Sequence, residues 1–537
     1  MRMSIYHTTA AQDTVDVLII GGGLAAMVAA DALADTDARV LVLRAGGGAS
    51  PFVHGFSLPM LPSDSAAVLM QDTLRAGCGQ CRPELVRALC AGTAEIPQQL
   101  ARWGISLNQS ADGPELLRPL GASYPRVVSV GNSAGNAILH ALHARLADRS
   151  NVMRRAARAE RLISDGCRVT GAVCRDASGR AFSVAARATL LACGGYSGIL
   201  PFTTNPDDLS GSGLAMAYDA GAALTDLEFI QFEPCVGIAP EAVRGKGIVT
   251  TMLYEGAVLR DASGAQFLCR YGADGAHIGK DLMAQRIQAA IRGGNASPHG
   301  GVYFDATGVG AERLHAVYGS YVARYARCGI DLVRTPVEVA PAAHTALGGV
   351  EIDPQCHTSL RGLYACGEAA GGLHGANRMG GNAGLETLVF GEIAGQTIAA
   401  EWASMPLPDA VPVPDTPAQV LAADERNRWR IRLDEAVGAA LNVVRDDESL
   451  AVCRETLAAD ALAADALPDG GDVRGIRQRI CAARLVAAAA QIRGQSVGCH
   501  VRSDSRPEPE PYALRVQKDR GIVRIDLPAE QKGGEFL

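Results

Sequence analysis

The sequence has no apolar run long enough to cross a membrane, which takes about 20 consecutive residues. Its opening residues, MRMSIYHTTAAQDT, contain no apolar core of the kind that drives secretion, so no secretory signal is expected. Basic charge is not in excess either. The chain has 50 Lys and Arg against 57 Asp and Glu, a net charge of -7. That balance leaves no electrostatic footprint for nucleic acid. The 14 cysteines lack the spacing of a small disulfide framework, which points to a reducing cytoplasm. Cys78-Gly-Gln-Cys81 has no second pair nearby, and Arg82 follows it where haem attachment needs histidine. It reads as incidental, and no metal site is expected. No internal repeat is detected.

What is present is ordinary globular composition on a large scale. The 537 residues are 48% hydrophobic and 20% charged, which suits two to four domains. Residues 15–20 form a largely apolar strand of the buried parallel-sheet kind. Gly21-Gly22-Gly23-Leu24-Ala25-Ala26 follows at once, then a helical run over 27–33. With a strand before and a helix after, this G-x-G-x-x-A reads as a dinucleotide-binding turn. Gly21 makes the tight turn, Gly23 lets a pyrophosphate approach, and Ala26 permits close helix–strand packing. A second strand over 39–43 ends at Arg44, where the fingerprint expects an acidic residue for the ribose. An arginine there suits a 2′-phosphate, which keeps a nicotinamide cofactor open.

The most informative stretch runs from Gly362 to Gly395: GLYACGEAAGGLHGANRMGGNAGLETLVFGEIAG. An apolar strand ends in Gly367-Glu368, a glycine-rich loop follows, and helical periodicity begins near Asn382-Ala383. Glycines at 371, 372, 375, 380 and 381 let backbone approach a large flat ligand. The helix start offers free N–H groups to an anion or a flavin carbonyl. His374, Asn377 and Arg378 are polar groups that a purely structural turn would not need. This stretch resembles the signature loop of the succinate dehydrogenase/fumarate reductase flavoprotein family.

The resemblance covers most of the chain. Cys193-Gly194-Gly195-Tyr196 is similar to the turn that closes the family's FAD domain, and residues 227–234 (LEFIQFEP) to the entry of its capping domain. Residues 495–504 (QSVGCHVRSD) resemble its closing motif. The implied fold is α/β: a Rossmann-like FAD-binding domain with an inserted α+β capping domain and a C-terminal helical domain. The implied boundaries are 14–228 and 341–403 for the two parts of the FAD domain, 229–340 for the cap and 418–537 for the C-terminal domain and tail. Locally, we expect a helix over 83–103, separate strands over 181–186 and 188–192, and helices over 421–457 and 473–493. A proline-rich linker spans 405–417.

For the cofactor, the resemblance implies FAD held by Gly21, Gly23, Ala26, Arg44, Gly194, Gly195, Gly367, Glu368, Asn382 and Ala383. The bond is expected to be non-covalent, with His54 the alternative attachment point. Arg378 and His344 match the family's substrate-carboxylate ligands, and His374 joins them. Two family positions depart. Glu233 stands where the family has a histidine, and Leu253 falls where it has its proton-donating arginine. Arg244 is the substitute candidate for that arginine. The implied activity is FAD-dependent hydride transfer with a carboxylate-bearing substrate at a CH–CH group. The alternative is a flavin electron-transfer subunit without dicarboxylate turnover. An iron–sulfur or quinone-linked partner is expected, with a cytoplasmic location or a peripheral one at the membrane's inner face.

Overall fold

A computed structural model describes residues 12–111, 113–268, 278–409, 420–507 and 511–527. Most of the opening segment read for secretion, and 410–417 of the proline-rich linker, lie outside these residues.

The first apolar stretch becomes the strand Gln12–Ile20, paired in parallel with Val40–Arg44 on one side and Ala181–Leu191 on the other. Val152–Ser164 extends this sheet beyond Val40–Arg44, and Leu363–Ala365 extends it beyond Ala181–Leu191. Val17, Leu18 and Ile19 are fully buried, which explains an apolar run without alternation. The helices Leu24–Leu33 and Asn382–Glu401 pack on each other directly. A Cβ on Gly391 would lie 2.8 Å from Ala25 O, and one on Gly395 2.7 Å from Ala29 O, so only glycine permits this approach.

Three local expectations change. The strands expected over 181–186 and 188–192 are one strand, Ala181–Leu191. Arg187 interrupts the apolar pattern, but its Nε reaches Asp16 Oδ1 at 3.1 Å, so the strand continues through it. The helix expected over 83–103 is broken into Pro83–Ala91 and Ile96–Arg102. The break falls at Gly92, whose backbone abuts the Val389 side chain. The helix expected over 421–457 is two, Ala423–Ala440 and Asp447–Asp465. Between them Val444–Arg445 pairs with Val501–Arg502, and the Asp446 carboxylate caps the second helix by accepting from Ser449 N.

An inserted antiparallel sheet orders Ile230–Gly237, Val337–Ala346, Val302–Asp305 and Val258–Arg260, with helices Lys280–Ala290 and Ala311–Ala326. It has its own apolar cluster between Cys235 and Val339, to which Leu120 is the contribution from elsewhere. This is the α/β fold with an α+β insertion that the sequence implies. Tyr512–Gln517 and Gly521–Asp526 form a hairpin that pairs with Leu224–Thr225.

The entry to the insertion is tied to the C-terminal helices by buried charge. Glu228 and Arg493 are both fully buried and pair at 2.5 Å. Arg493 also donates to Tyr512 O at 2.8 Å, and Arg445 Nη1 donates to Glu228 O at 2.7 Å. His500 bridges the arginines, with Nδ1 2.8 Å from Arg445 Nη1 and Nε2 3.0 Å from Arg493 O. Burial, with Arg445 and Arg493 beside it, holds the His500 ring well below its ordinary pKa. Replacing Arg493 by Met leaves Glu228 buried and unpaired, at a cost of about 3–5 kcal/mol. We expect a correspondingly lower urea midpoint, and the double variant with Glu228→Gln should recover a large part of the loss. A midpoint unchanged in Arg493→Met would show that the pair is not needed.

Candidate active site

A cavity of about 470 Å³ lies where the glycine turns of the parallel sheet meet the inserted layer. Gly21 has φ +131°, and a Cβ there would stand 2.1 Å from Ala192 O, so the turn admits glycine alone. The helix Leu24–Leu33 begins at Gly23, with Ser50 Oγ accepting from Leu24 N at 2.9 Å, and the helix Asn382–Glu401 begins at Gly381 without a side-chain cap. Both starts line the cavity, so backbone N–H groups of two helices are available to one ligand. Gly47 and Gly48 border open space, with nothing within 4 Å of an added Cβ. These surroundings fit the FAD that the resemblance implies. The helix start at Gly23 suits the pyrophosphate, and the one at Gly381 suits a ring carbonyl.

Of the residues expected at the cofactor, Gly21, Gly23, Arg44, Gly194, Gly367, Glu368 and Ala383 line this cavity. Three do not, and each has another role. Ala26 is fully buried in the helix–sheet contact. Gly195 makes room for Glu368, whose Oε1 would be 2.6 Å from a Cβ there. The Asn382 side chain turns away and donates to Thr73 Oγ1 at 2.9 Å. Glu368 Oε1 accepts from Ala346 N at 3.0 Å, and burial pushes its carboxyl up to about 7. Arg44 donates through Nε to Gly46 O at 2.9 Å, and its side chain lies along Gly22. His54 lines the wall with its ring 6.2 Å from that of Tyr321.

The other end of the cavity is charged. Arg378 is buried, donates to Met379 O at 3.2 Å and to Thr345 Oγ1 at 3.3 Å, and has no partner for its Nε. No carboxylate among the described residues forms an ion pair with it. His344 is held by Thr204 Oγ1, 2.7 Å from Nδ1, and by the Asn205 amide, which donates to its carbonyl at 2.6 Å. Burial first, then the cations Lys280 and Arg378, hold its ring well below the ordinary value, so the imidazole is neutral. Glu233 is buried, forms an ion pair with Lys280, and lies 3.9 Å from His344 Nε2.

Two expected site residues are not in this group. His374 does not line the cavity. It is buried behind the loop with Nε2 3.0 Å from Glu386 Oε2. Arg244 is exposed, with its guanidinium 4.9 Å over the Phe202 ring, and does not line the cavity. Leu253 is packed in the insertion's core. From the insertion, Lys246, Lys280 and Arg324 line the cavity instead, and Lys280 and Arg324 did not stand out in the sequence. Arg324 donates to Gly247 O at 2.8 Å and follows Tyr321 by one helical turn, so helical phase alone could have found it. Lys280 opens a helix and carries no local motif. Cys78 and Cys81 are free thiols, and no metal-holding cluster of His, Cys, Asp and Glu exists among the described residues.

The family described as an FAD binding domain matches residues 16–383. The L-aspartate oxidase of Caulobacter vibrioides is 33% identical over 93% of this chain and 95% of its own. A fumarate reductase (CoM/CoB) subunit from Methanothermobacter marburgensis is 30% identical over 92% and 95%. A chain of E. coli quinol fumarate reductase shares the fold with a TM-score of 0.86 over 98% of this chain and 100% of that one, at 24% identity. With the glycine turns, the paired helix starts and these relatives agreeing, the chain belongs to the FAD-binding family and is an FAD-dependent oxidoreductase of the fumarate reductase, succinate dehydrogenase and aspartate oxidase type.

Proposed function

We propose that this enzyme exchanges hydride between FAD and a substrate with one carboxylate gripped by Arg378 and His344 and a neutral or cationic end toward Glu233. The observation that carries this reading is Arg378: a buried guanidinium at the cavity, without a carboxylate of its own among the described residues. An unpaired buried charge is costly, and a substrate carboxylate relieves it with bidentate geometry. Bound FAD supplies or takes up the hydride.

The protein's own groups orient and protonate. Thr345 and Met379 fix the guanidinium fork, and Thr204 fixes the neutral His344 ring so that Nε2 is left for the ligand. Glu233 and Lys280 offset each other's charge, so the far corner does not attract a second carboxylate as an unpaired arginine would. Lys280 is the group placed to exchange the substrate proton. Unlike a guanidinium, an ammonium gives up its proton readily. Residues 229–340 act as the cap, and its closure excludes water. Electrons pass to or from an iron–sulfur or quinone-linked partner, or a soluble acceptor, at a cytoplasmic or peripheral membrane location. In support, one relative is named as part of a larger assembly. No helix among the described residues is long and apolar enough to cross a membrane.

Acid precipitation of the purified holoprotein should release its FAD into the supernatant. Yellow colour retained in the pellet would instead assign a covalent bond, with His54 the residue to sequence. Arg378→Ala should keep FAD and lose about 2–5 kcal/mol of transition-state binding, a fall in kcat/KM on the order of a hundredfold or more. Steady-state kinetics at wild-type level would remove Arg378 from the substrate site. Glu233→His and Glu233→Gln should shift preference toward fumarate or succinate, because both remove a negative charge beside the ligand. Unchanged preference and pH profile in both variants would make Glu233 structural.

A further inference from the structure

A second cavity, of about 210 Å³, adjoins the first. Leu120, Lys280, Arg378 and Gly380 line both, so the two cations form the charged part of the partition between them. On the other side the smaller cavity is lined by Arg75 and Cys78, both of them exposed, so it meets the surface there. Asp281 and Asn377 complete its polar lining. They close together over Gly279, where an added Cβ would lie 2.5 Å from Asp281 Oδ1 and 3.6 Å from Asn377 Nδ2. The space far exceeds the roughly 10–15 Å³ that one water needs, and its walls offer polar partners. Arg378, the grip on the carboxylate, belongs to both cavities, whereas Arg75, Cys78, Asp281 and Asn377 line the smaller one alone.

We propose that this small cavity is the route by which protons reach the substrate, with Asp281 relaying them to Lys280. The proposal rests on the reading that Lys280 exchanges the substrate proton. In substrate reduction, hydride arrives at one carbon of the double bond, and the freed electron pair forms a C–H bond at the other with a proton from the Lys280 ammonium. The neutral amine then takes the proton of the Asp281 carboxyl. Water at the Arg75–Cys78 mouth returns one to the carboxylate. Oxidation runs through the same transfers in reverse. Asp281 acts through Lys280 and is a positioning residue. The charged and titratable groups around it are Lys280, Arg378 and Arg75, with the thiols Cys78 and Cys499. Burial raises its carboxyl above the ordinary range, the direction that favours a proton held for transfer. Leu253, which the resemblance puts at the family's arginine, is packed in the insertion's apolar core and carries no group that could relay a proton.

The test uses anaerobically photoreduced holoenzyme mixed in a stopped-flow spectrometer with the carboxylate that reoxidises the wild type fastest, chosen from fumarate and a panel of unsaturated monocarboxylates. Asp281→Asn should slow flavin reoxidation at least tenfold while FAD content and the Kd of that carboxylate, read by spectral titration of the oxidised enzyme, stay within twofold. Its solvent deuterium isotope effect should exceed that of the wild type, and Asp281→Glu should restore most of the rate. Reoxidation by Asp281→Asn at the wild-type rate, with the wild-type isotope effect, overturns the proposal. Where that variant folds poorly, Ala76→Leu decides by narrowing the same cavity from another wall. Slowed reoxidation at unchanged affinity for the same carboxylate supports the route, and an unchanged rate overturns it. A wild-type enzyme that neither fumarate nor a panel of unsaturated monocarboxylates reoxidises defeats the substrate reading, and the route with it. Turnover by the wild type with no effect in either variant defeats the route alone.

Discussion

The Glu228–Arg493 pair sets the terms for the rest of the molecule. Glu228 sits at the point where the chain leaves the short strand Leu224–Thr225 for the insertion, and Arg493 immediately follows the long helix Gly471–Ile492. Both are without solvent, so neither tolerates loss of the other. Arg445, His500 and the Tyr512 carbonyl join the same cluster. Three stretches far apart in sequence therefore share one polar core. The orientation of the insertion at its root follows from this cluster, and with it the alignment of the cap side chains across the cavity. Buried polar clusters of this kind contribute more to a unique arrangement than to net stability.

The site inverts that logic. At the root, Glu228 and Arg493 each have a buried opposite. At the cavity, Arg378 has none, while Glu233 and Lys280 offset each other close by. The result is one buried anion position, Arg378, beside a pair whose charges offset each other. The His344 ring, kept neutral by burial and by its cationic neighbours, adds hydrogen bonding without adding charge. Selectivity at such a site comes from what the far end of the substrate carries, because the near end meets the same guanidinium in every case.

Much of this was legible in the sequence where local backbone chemistry decides. The turn at Gly21 and the loop ending at Gly381 each demand glycine for reasons a few residues long, and both appear where the motifs put them. The fold class followed from the same motifs. The insertion's cations did not follow. Lys280 and Arg324 come to the cavity through the packing of two cap helices, which no nearby residue announces. Counting along the chain for a family arginine led to Arg244 and Leu253, one on the surface and one in a core. His374 looked like a ligand because it shares a loop with Arg378. However, it faces away from the cavity, and its partner Glu386 lies on the following helix. The breaks at Gly92 and at 441–446 were equally tertiary, set by Val389 and by the strand pair with Val501–Arg502.

The glycines that let the helix Asn382–Glu401 lie on the helix Leu24–Leu33 have an effect at the far end of both. The two helices begin at the same cavity and touch backbone to backbone at Ala25 and Ala29. Side chains between packed helices can repack, but direct backbone contact has little slack. The distance between the two helix starts is therefore fixed like that between the jaws of a locked caliper. If the insertion closes as the proposed cap, its motion changes what covers the cofactor without changing the span that holds it. Opening the site for substrate exchange and retaining the flavin become separate mechanical problems, solved by different parts of the chain.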